Sequence, residues 1–241
     1  MANTLAEPPT ESPASPMSSR AGTPSSDVLP VRSASWLGDH TDGYLPLSLG
    51  QYHWMIETGL LPESLDYELR RGVIVPKDRR DVEEPGMHIG VNHSTASNLW
   101  NLLVAKLDLA SYFITTQTPL TLPHDGEPEP DGMILRGGVD QWRVVTEKPL
   151  PSDVLCVYEV ASSSLPTDRG PKREDYAIAQ VPMYVIANLV DQQLEVHTVP
   201  DDSRFAEVRT LRAGDTLTIP LDNDDTLSVP VADLLPQPSS R

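Results

Sequence analysis

The sequence feature that most constrains the fold is the run "VLCVYEVA", residues 154–161, whose only charged side chain is Glu159. A strand that is apolar on both faces is typical of the interior of a sheet that is covered on both sides. The run therefore predicts a central strand. Because a carboxylate is costly to bury without a cation or hydrogen-bond donors, Glu159 is a candidate functional residue.

Helices and strands are predicted around this central strand. The segment "STASNLWNLLVAKLDLA" predicts a helix that covers a sheet, because Ala96, Leu99, Leu103 and Leu107 share one helical face. A short helix is predicted after Ser48, and another in "PKREDYAIAQV". Strands are predicted in "DYELRRGVIVP", "YFITTQTPLTLP" and "DGMILR", with two more in "PMYVIANLVDQQLEVHTV" and a β-rich end. The pattern as a whole predicts an α/β (α+β) fold.

The composition divides the chain into three parts. Residues 1–42 are dominated by Pro, Ser, Thr and Ala and are predicted to form a disordered tail, followed by one folded domain at 43–236 and a short tail at 237–241. The N-terminus lacks the pattern of a signal peptide, and no apolar run approaches the roughly 20 residues that span a bilayer. The single cysteine, Cys156, is predicted to be a core side chain. We therefore expect a cytoplasmic protein with no membrane association.

The charge of the chain limits its partners. With 18 Lys and Arg against 35 Asp and Glu, the formal net charge of −17 argues against a broad basic surface for duplex DNA. Bound cations can nevertheless reverse the field locally. The segment "RRGVIVPKDRR" is a candidate basic patch, and the alternative is a solvated loop balanced by "DVEE". The basic residues of this candidate patch are Arg70, Arg71, Lys77, Arg79 and Arg80.

Three residues at predicted strand and helix ends suggest phosphodiester chemistry. Asp131 and Glu159 supply hard carboxylate oxygens of the kind that hold a divalent cation, and Lys172 is a compact cation that can orient water or stabilise a transition state. From spacing alone, ordinary solvated side chains remain an open alternative. The acidic run "DNDDT" at 222–226 lacks the spacing of a calcium loop and predicts a solvated turn.

An ordered set of motifs resembles a known family. The segments "DYELRRGVIV", "NH", "EPDGMIL" and "VYEVASSS…TDRGPKREDYAIAQVPMYVIAN" resemble, in this order, the bacterial "putative restriction endonuclease" family of the PD-(D/E)XK nuclease superfamily. The resemblance runs from about residue 45 to residue 236. Its most specific block joins a Glu-Val pair, a serine-rich loop, an aspartate four residues before a lysine, a tyrosine and "VPMYVI". The resemblance implies a restriction-endonuclease-like core, with a central mixed sheet flanked by helices, a shared metal site and a β-rich C-terminal part.

The resemblance also implies residue roles. Asp131 and Glu159 look like ligands of Mg²⁺ or Mn²⁺, and the backbone carbonyl of Val160 looks like a further ligand. Lys172 looks like the family's lysine on the following helix. A strict E-x-K motif fails here, because Ala161 stands where that motif has lysine.

Two further residues match the family pattern. Glu68 of "YEL" looks like an N-terminal acidic residue that approaches the metal site, with an ordinary surface role as the open alternative. His93 matches a histidine at the start of the first long helix, and a helix cap or a structural histidine remains the alternative.

The implied activity is a metal-dependent endonuclease that acts on nucleic acid, with DNA as the expected substrate and a homodimer as the expected assembly. A second hypothesis is a non-catalytic binding or assembly protein that retains the nuclease fold. A third is a hydrolase of a small phosphorylated molecule, which would need a closed pocket at the same site.

Overall fold

The computed structural model describes residues 45–61, 67–76, 88–104 and 106–236. The two predicted tails lie outside the described residues, as do Lys77, Arg79 and Arg80 of the candidate basic patch. The backbone of His93 lies within a described helix, but its side chain is outside the described part of the structure.

A six-stranded mixed sheet forms the centre of the fold. Its strands are β3 (Tyr112–Thr115), β4 (Gly132–Arg136), β5 (Val154–Ala161), β6 (Met183–Asn188), β7 (Gln193–Asp201) and β8 (Arg204–Leu211), in that spatial order. Strands β5 and β6 are parallel, and the other neighbours are antiparallel. Strand β5 is interior and buried along its whole length, which confirms the predicted central strand and the mixed α/β class.

Helices flank this sheet. They are α1 (Leu49–Glu57), α2 (His88–Val104), α3 (Val139–Trp142), α4 (Leu165–Thr167) and α5 (Arg173–Ile178). Helix α1 begins with a capping box in which Ser48 and Gln51 bond to each other's backbone N–H groups, as the predicted cap requires. Helix α2 begins at His88, six residues before the predicted start at Ser94.

The buried face of α2 differs in detail from the predicted one. Ala96, Trp100 and Val104 are fully buried, whereas Leu99 is half-buried. These three buried residues are spaced four apart, so they still form one helical stripe facing the sheet. On the buried face of α2, the large indole of Trp100 therefore takes the place that was predicted for Leu99.

Two antiparallel hairpins lie outside the central sheet. The prediction of a single strand in "DYELRRGVIVP" is wrong. This segment forms a hairpin of β1 (Tyr67–Arg70) and β2 (Val73–Pro76). The chain reverses because Arg71 and Gly72 adopt φ values of 47° and 76°, the left-handed conformation of a tight hairpin turn. A second hairpin joins β9 (Thr216–Pro220) to β10 (Thr226–Pro230), which confirms the β-rich end.

Side chains of β5 point alternately into two packed layers. Cys156, Tyr158 and Val160 belong to the layer that also contains the buried face of α2, here called the α2 layer. Val157 and Ala161 belong to the layer that contains the buried residues of α5, here called the α5 layer. The alternation follows from the two-residue period of a strand. It determines which partners each side chain of β5 can reach.

None of the described helices is both long and apolar enough to cross a lipid bilayer. The cytoplasmic location stays a prediction.

Candidate functional site

Glu159 is the one carboxylate on β5, and it points into the α5 layer. Its side chain is buried, with 3% of the residue surface exposed. The Oε1 atom accepts a hydrogen bond from the hydroxyl of Tyr176 at 2.9 Å and lies 2.7 Å from Nζ of Lys172. The predicted convergence of Glu159 and Lys172 is therefore present in the structure. The cation and hydroxyl partly offset the cost of burying the carboxylate.

The loop after β5 brings Lys172 back to the sheet. The chain passes through α4 and then through a π-helical turn at Asp168–Lys172, before α5 begins at Arg173. The helix predicted in "PKREDYAIAQV" would begin at Pro171, but Pro171 lies inside this turn and the helix begins at Arg173. Gly170 accommodates the break with non-helical angles, φ −103° and ψ −111°.

Asp168 is a buried acidic residue that the sequence interpretation did not assign to the site. It is 1% exposed, and its Oδ1 atom lies 3.7 Å from Nζ of Lys172. This oxygen is buried without a hydrogen-bond partner in the described part of the chain. The hydroxyl of Tyr184 donates to the backbone carbonyl of Asp168 at 3.2 Å and helps to hold the turn. The signal was present in the sequence as the aspartate four residues before the lysine.

Asp131 lies immediately before β4, beside the end of β5. Its Oδ2 atom accepts a hydrogen bond from the N–H of Val160 at 2.8 Å. The negative charge of Asp131 also contributes to raising the pKa of Glu159 and of Asp168. The structure therefore brings Asp131 and Glu159 into one electrostatic cluster. A role for the carbonyl of Val160 as a ligand stays a prediction.

Glu68 reaches the same cluster from the separate β1–β2 hairpin. Its side chain is buried, and its negative charge contributes to raising the pKa of Lys172 and of Asp168. The Nε atom of Arg70 lies 3.9 Å from Oε1 of Glu68. Four acidic side chains and one lysine thus interact electrostatically at one place. We call this set the acidic cluster; its members are Glu68, Asp131, Glu159, Asp168 and Lys172.

The protonation of the acidic cluster reflects competing effects. Burial raises the pKa of Glu159, and Lys172 opposes that rise. Burial likewise raises the pKa of Asp168, again with Lys172 as the opposing influence. For Lys172, burial disfavours the charged form, but the attraction of Glu159, Asp168 and Glu68 is larger in sum and raises its pKa. Lys172 is accordingly an ammonium group, which donates hydrogen bonds and does not act as a base.

Two arginines of the candidate basic patch form ion pairs with acidic residues. Arg70 donates to Oδ2 of Asp175 through Nε at 3.1 Å and Nη2 at 3.0 Å. Arg71 also pairs with Asp175, and its Nη2 lies 3.3 Å from Oε2 of Glu174. These residues fasten the β1–β2 hairpin to α5 and do not form an open basic surface. The sequence could not show this, because the partners are more than a hundred residues away.

Arg169 fastens the π-helical turn to the sheet. Its Nε donates to Oε2 of Glu195 on β7 at 2.8 Å, and its Nη2 contacts Oε1 of the same carboxylate. Asn188 donates to Glu195 Oε1 at 2.8 Å. Since Arg169 lies between Asp168 and Lys172, this paired contact fixes the backbone that carries two members of the acidic cluster.

The family of the chain follows from a match that covers most of the described fold. The family model described as "Putative restriction endonuclease" (Uma2) matches residues 51–232. The chain belongs to this family. The match includes all five members of the acidic cluster, and it confirms the family resemblance of the sequence motifs. No curated protein matches the chain.

A solved structure shows the same fold. It is the crystal structure, at 1.96 Å resolution, of a protein described as a putative nuclease belonging to DUF820 from Anabaena variabilis ATCC 29413. The similarity has a TM-score of 0.50 and 15% sequence identity, and it covers 78% of this chain and 97% of that chain. At this identity the likeness concerns the fold alone. Family and fold together support a nuclease.

The residues of the acidic cluster suit a hard divalent cation in their chemistry. Carboxylate oxygens are the ligands that Mg²⁺ and Mn²⁺ prefer, and Oδ1 of Asp168 is a buried acceptor without a hydrogen-bond donor. Within the ranges that the structure describes, no three His, Cys, Asp or Glu side chains are already arranged as a metal-binding group. Lys172 instead supplies the positive charge next to Glu159. The carboxylate oxygens of the acidic cluster are therefore chemically suitable ligands for a divalent cation.

Proposed function

We propose that this protein is a metal-dependent endonuclease that hydrolyses phosphodiester bonds of nucleic acid, with DNA as its substrate. The observation that carries the proposal is the buried contact between Glu159 and Lys172, 2.7 Å apart, with Asp131 and Asp168 beside it. A buried group of carboxylates around one lysine is expensive to maintain for stability alone. Clustered groups with shifted pKa values are typical of functional sites.

The proposal assigns roles to four members of the acidic cluster. Asp131 and Glu159 hold Mg²⁺ or Mn²⁺, with the carbonyl of Val160 as a further ligand. When bound, the cation supplies Lewis acidity toward a phosphate oxygen and toward the attacking water. Glu68 completes the negative charge that attracts the cation.

Lys172 acts in this proposal as a hydrogen-bond donor. Because its pKa is raised, the ammonium group keeps its protons near neutral pH, so it orients the attacking water or stabilises charge on the phosphate. Tyr176 holds Glu159 through its hydroxyl, and the Arg169–Glu195 contact holds the turn that carries Lys172. These two contacts position the reacting groups without touching the substrate.

Cleavage assays with the purified full chain test this function. Supercoiled plasmid, linear duplex DNA and single-stranded RNA are incubated with Mg²⁺ or Mn²⁺, using wild type, Asp131→Asn, Glu159→Gln and Lys172→Met. Loss of one such electrostatic group is expected to lower the cleavage rate by about 10²–10³-fold. The matched control is Glu127→Gln, because Glu127 is also a buried carboxylate, 5% exposed, but lies outside the acidic cluster.

The outcomes of this assay separate the hypotheses. Metal-dependent cleavage that is lost in the three cluster variants and kept in Glu127→Gln supports the endonuclease. Absence of cleavage by wild type, or equal cleavage by all variants, contradicts it. RNA cleavage without DNA cleavage would contradict the DNA assignment alone. Hydrolysis of small phosphate esters without cleavage of either nucleic acid would favour a small-molecule hydrolase.

One observation favours the second candidate, a non-catalytic binding or assembly protein. Arg70 and Arg71 are paired with acidic residues, so these two cations of the candidate basic patch are not presented to a nucleic acid backbone. A protein that had lost catalysis could keep such internal pairs as structural contacts. Binding of DNA without metal-dependent cleavage would support this candidate.

A further inference from the structure

Strand β8 forms one edge of the central sheet. It is the last strand in the sheet order, and among the described residues its only strand partner is β7. Val208, at its centre, is 54% exposed, and the neighbouring Glu207 and Arg209 are exposed as well. An edge strand presents unpaired backbone N–H and C=O groups that can pair with another strand. This edge is therefore a possible interface.

We propose that β8 pairs antiparallel with β8 of a second copy of this chain, with the two-fold axis at Val208. In this register the two Val208 side chains are directly opposite each other. Glu207 of each copy then faces Arg209 of the other, so the contact contains two opposite-charge pairs. The two six-stranded sheets become one continuous sheet across the interface.

The charges of β8 select this register over its neighbours. Moving the axis to Glu207 places two glutamates opposite each other, and moving it to Arg209 does the same with two arginines. Like charges directly opposite each other destabilise a strand pair, whereas opposite charges stabilise it. The strand "RFAEVRTL" is thus self-complementary about its exposed valine.

The ends of β8 are consistent with this pairing. Phe205 would lie opposite Leu211 of the second copy, which joins two apolar residues at each end. The least favourable pair is Arg204 opposite Arg212, but the charge of Arg204 is already offset by Asp201 at 3.3 Å. The interface is isologous, because the same strand serves both copies. It does not depend on the nuclease chemistry.

Charge reversal tests the interface in the full chain. The oligomeric state is measured by sedimentation velocity over a range of concentrations for wild type, Glu207→Arg, Arg209→Glu and the double variant. The control is Glu147→Arg, the same reversal at an exposed glutamate distant in sequence from β8. Circular dichroism confirms that each variant is folded.

The expected result is a wild-type dimer that each single reversal weakens at least tenfold, because each one creates two like-charge pairs. The double variant exchanges the charges and is expected to regain the dimer, and Glu147→Arg is expected to dimerise like wild type. A monomeric wild type overturns the proposal, whether the edge is left to solvent or is covered by another segment of this chain. Single variants that dimerise as strongly as wild type, or a double variant that does not recover, also overturn it.

Discussion

The two faces of β5 show how one strand can serve two purposes. In the α2 layer, Tyr158 stacks on Trp100 with ring centroids 4.2 Å apart and planes 8° apart. In the α5 layer, Glu159 is held by Tyr176 and Lys172. Neighbouring residues of one buried strand thus enter an aromatic core on one side and a charged cluster on the other.

The two layers also differ in the hydrogen bonding of their buried tyrosine hydroxyls. The hydroxyl of Tyr158 finds no hydrogen-bond partner in the parts of the chain that the structure describes, whereas the hydroxyl of Tyr176 donates to Glu159. In the α2 layer, Tyr158 contacts its neighbours by packing, chiefly against the stacked ring of Trp100. The α5 layer depends on specific polar contacts, because a buried carboxylate needs donors.

The largest expected effect comes from removing the cation of the α5 layer. Lys172→Met leaves Glu159 and Asp168 buried without their positive partner, and we expect the free energy of unfolding to fall by about 3–5 kcal/mol. Urea denaturation measures the change.

The double variant Glu159→Gln with Lys172→Met is the control for this prediction. It removes both charges of the closest pair and is expected to recover most of the stability, while cleavage activity stays lost. A double variant as unstable as the single one would mean that Lys172 stabilises the fold through packing and not through charge.

The corresponding test of the α2 layer is steric. Gly132 lies against the indole of Trp100, and a Cβ atom at this position would overlap the ring. Gly132→Ala is therefore expected to cost about 1–3 kcal/mol of unfolding free energy, the usual range for overpacking a core. Gly214→Ala is the matched control, because a Cβ there meets nothing within 4 Å. Equal stability of the two variants would contradict the close packing described for this layer.

Removing one hydroxyl from each layer compares them directly. Tyr176→Phe deletes the hydrogen bond to Glu159 and is expected to cost about 2 kcal/mol, because a buried carboxylate loses a donor. Tyr158→Phe deletes a hydroxyl without a described partner and is expected to leave stability unchanged or slightly higher. Thermal and urea denaturation of both variants provide the measurement. If Tyr158→Phe proves the more costly change, the contrast between the layers is wrong.

The smallest effect is a pH dependence from His197 in the α5 layer. Burial, followed by the positive charge of Arg173, lowers the pKa of His197 to about 4. The unfolded chain binds a proton at this residue near its ordinary pKa of about 6.5, so the contribution of His197 to stability falls as pH drops from about 6.5 to about 4.

Replacement of His197 tests this dependence. Wild type is expected to lose about 1 kcal/mol relative to His197→Phe between pH 7 and pH 5.5. Phenylalanine is a suitable replacement, because His197 packs against the rings of Tyr184 and Phe205. Urea denaturation at the two pH values gives the difference, and parallel pH profiles of the two proteins would show that His197 does not titrate as described.

The sequence predicted the central strand from a local signal, and it predicted the meeting of Glu159 with Lys172 from the family resemblance. The apolar run requires burial, and the ordered motifs match the family. The sequence did not predict the role of Asp168, because an aspartate in a polar loop is ordinarily solvated. Asp168 is brought near Lys172 by the turn at Asp168–Lys172, which Arg169 holds to the sheet through Glu195.

The errors in the fold have similar causes. The β1–β2 hairpin was missed because its turn uses Arg71 and Gly72 instead of the more usual Asn-Gly or Asp-Gly pair. The pairing of Arg70 with Asp175 joins residues 105 positions apart, so no local pattern indicates it. Short-range periodicity predicts elements, but it does not predict which charged side chains meet.

Metal binding by the acidic cluster is tested most directly by a calorimetric titration of Mn²⁺ into the full chain, with wild type, Glu159→Gln and the control Glu127→Gln. We expect wild type and Glu127→Gln to bind with a Kd in the low millimolar range or tighter, and Glu159→Gln to bind at least tenfold more weakly. Circular dichroism establishes that the variants are folded. If wild type binds no cation, or if Glu159→Gln binds as tightly as wild type, the acidic cluster is not the metal site of a nuclease.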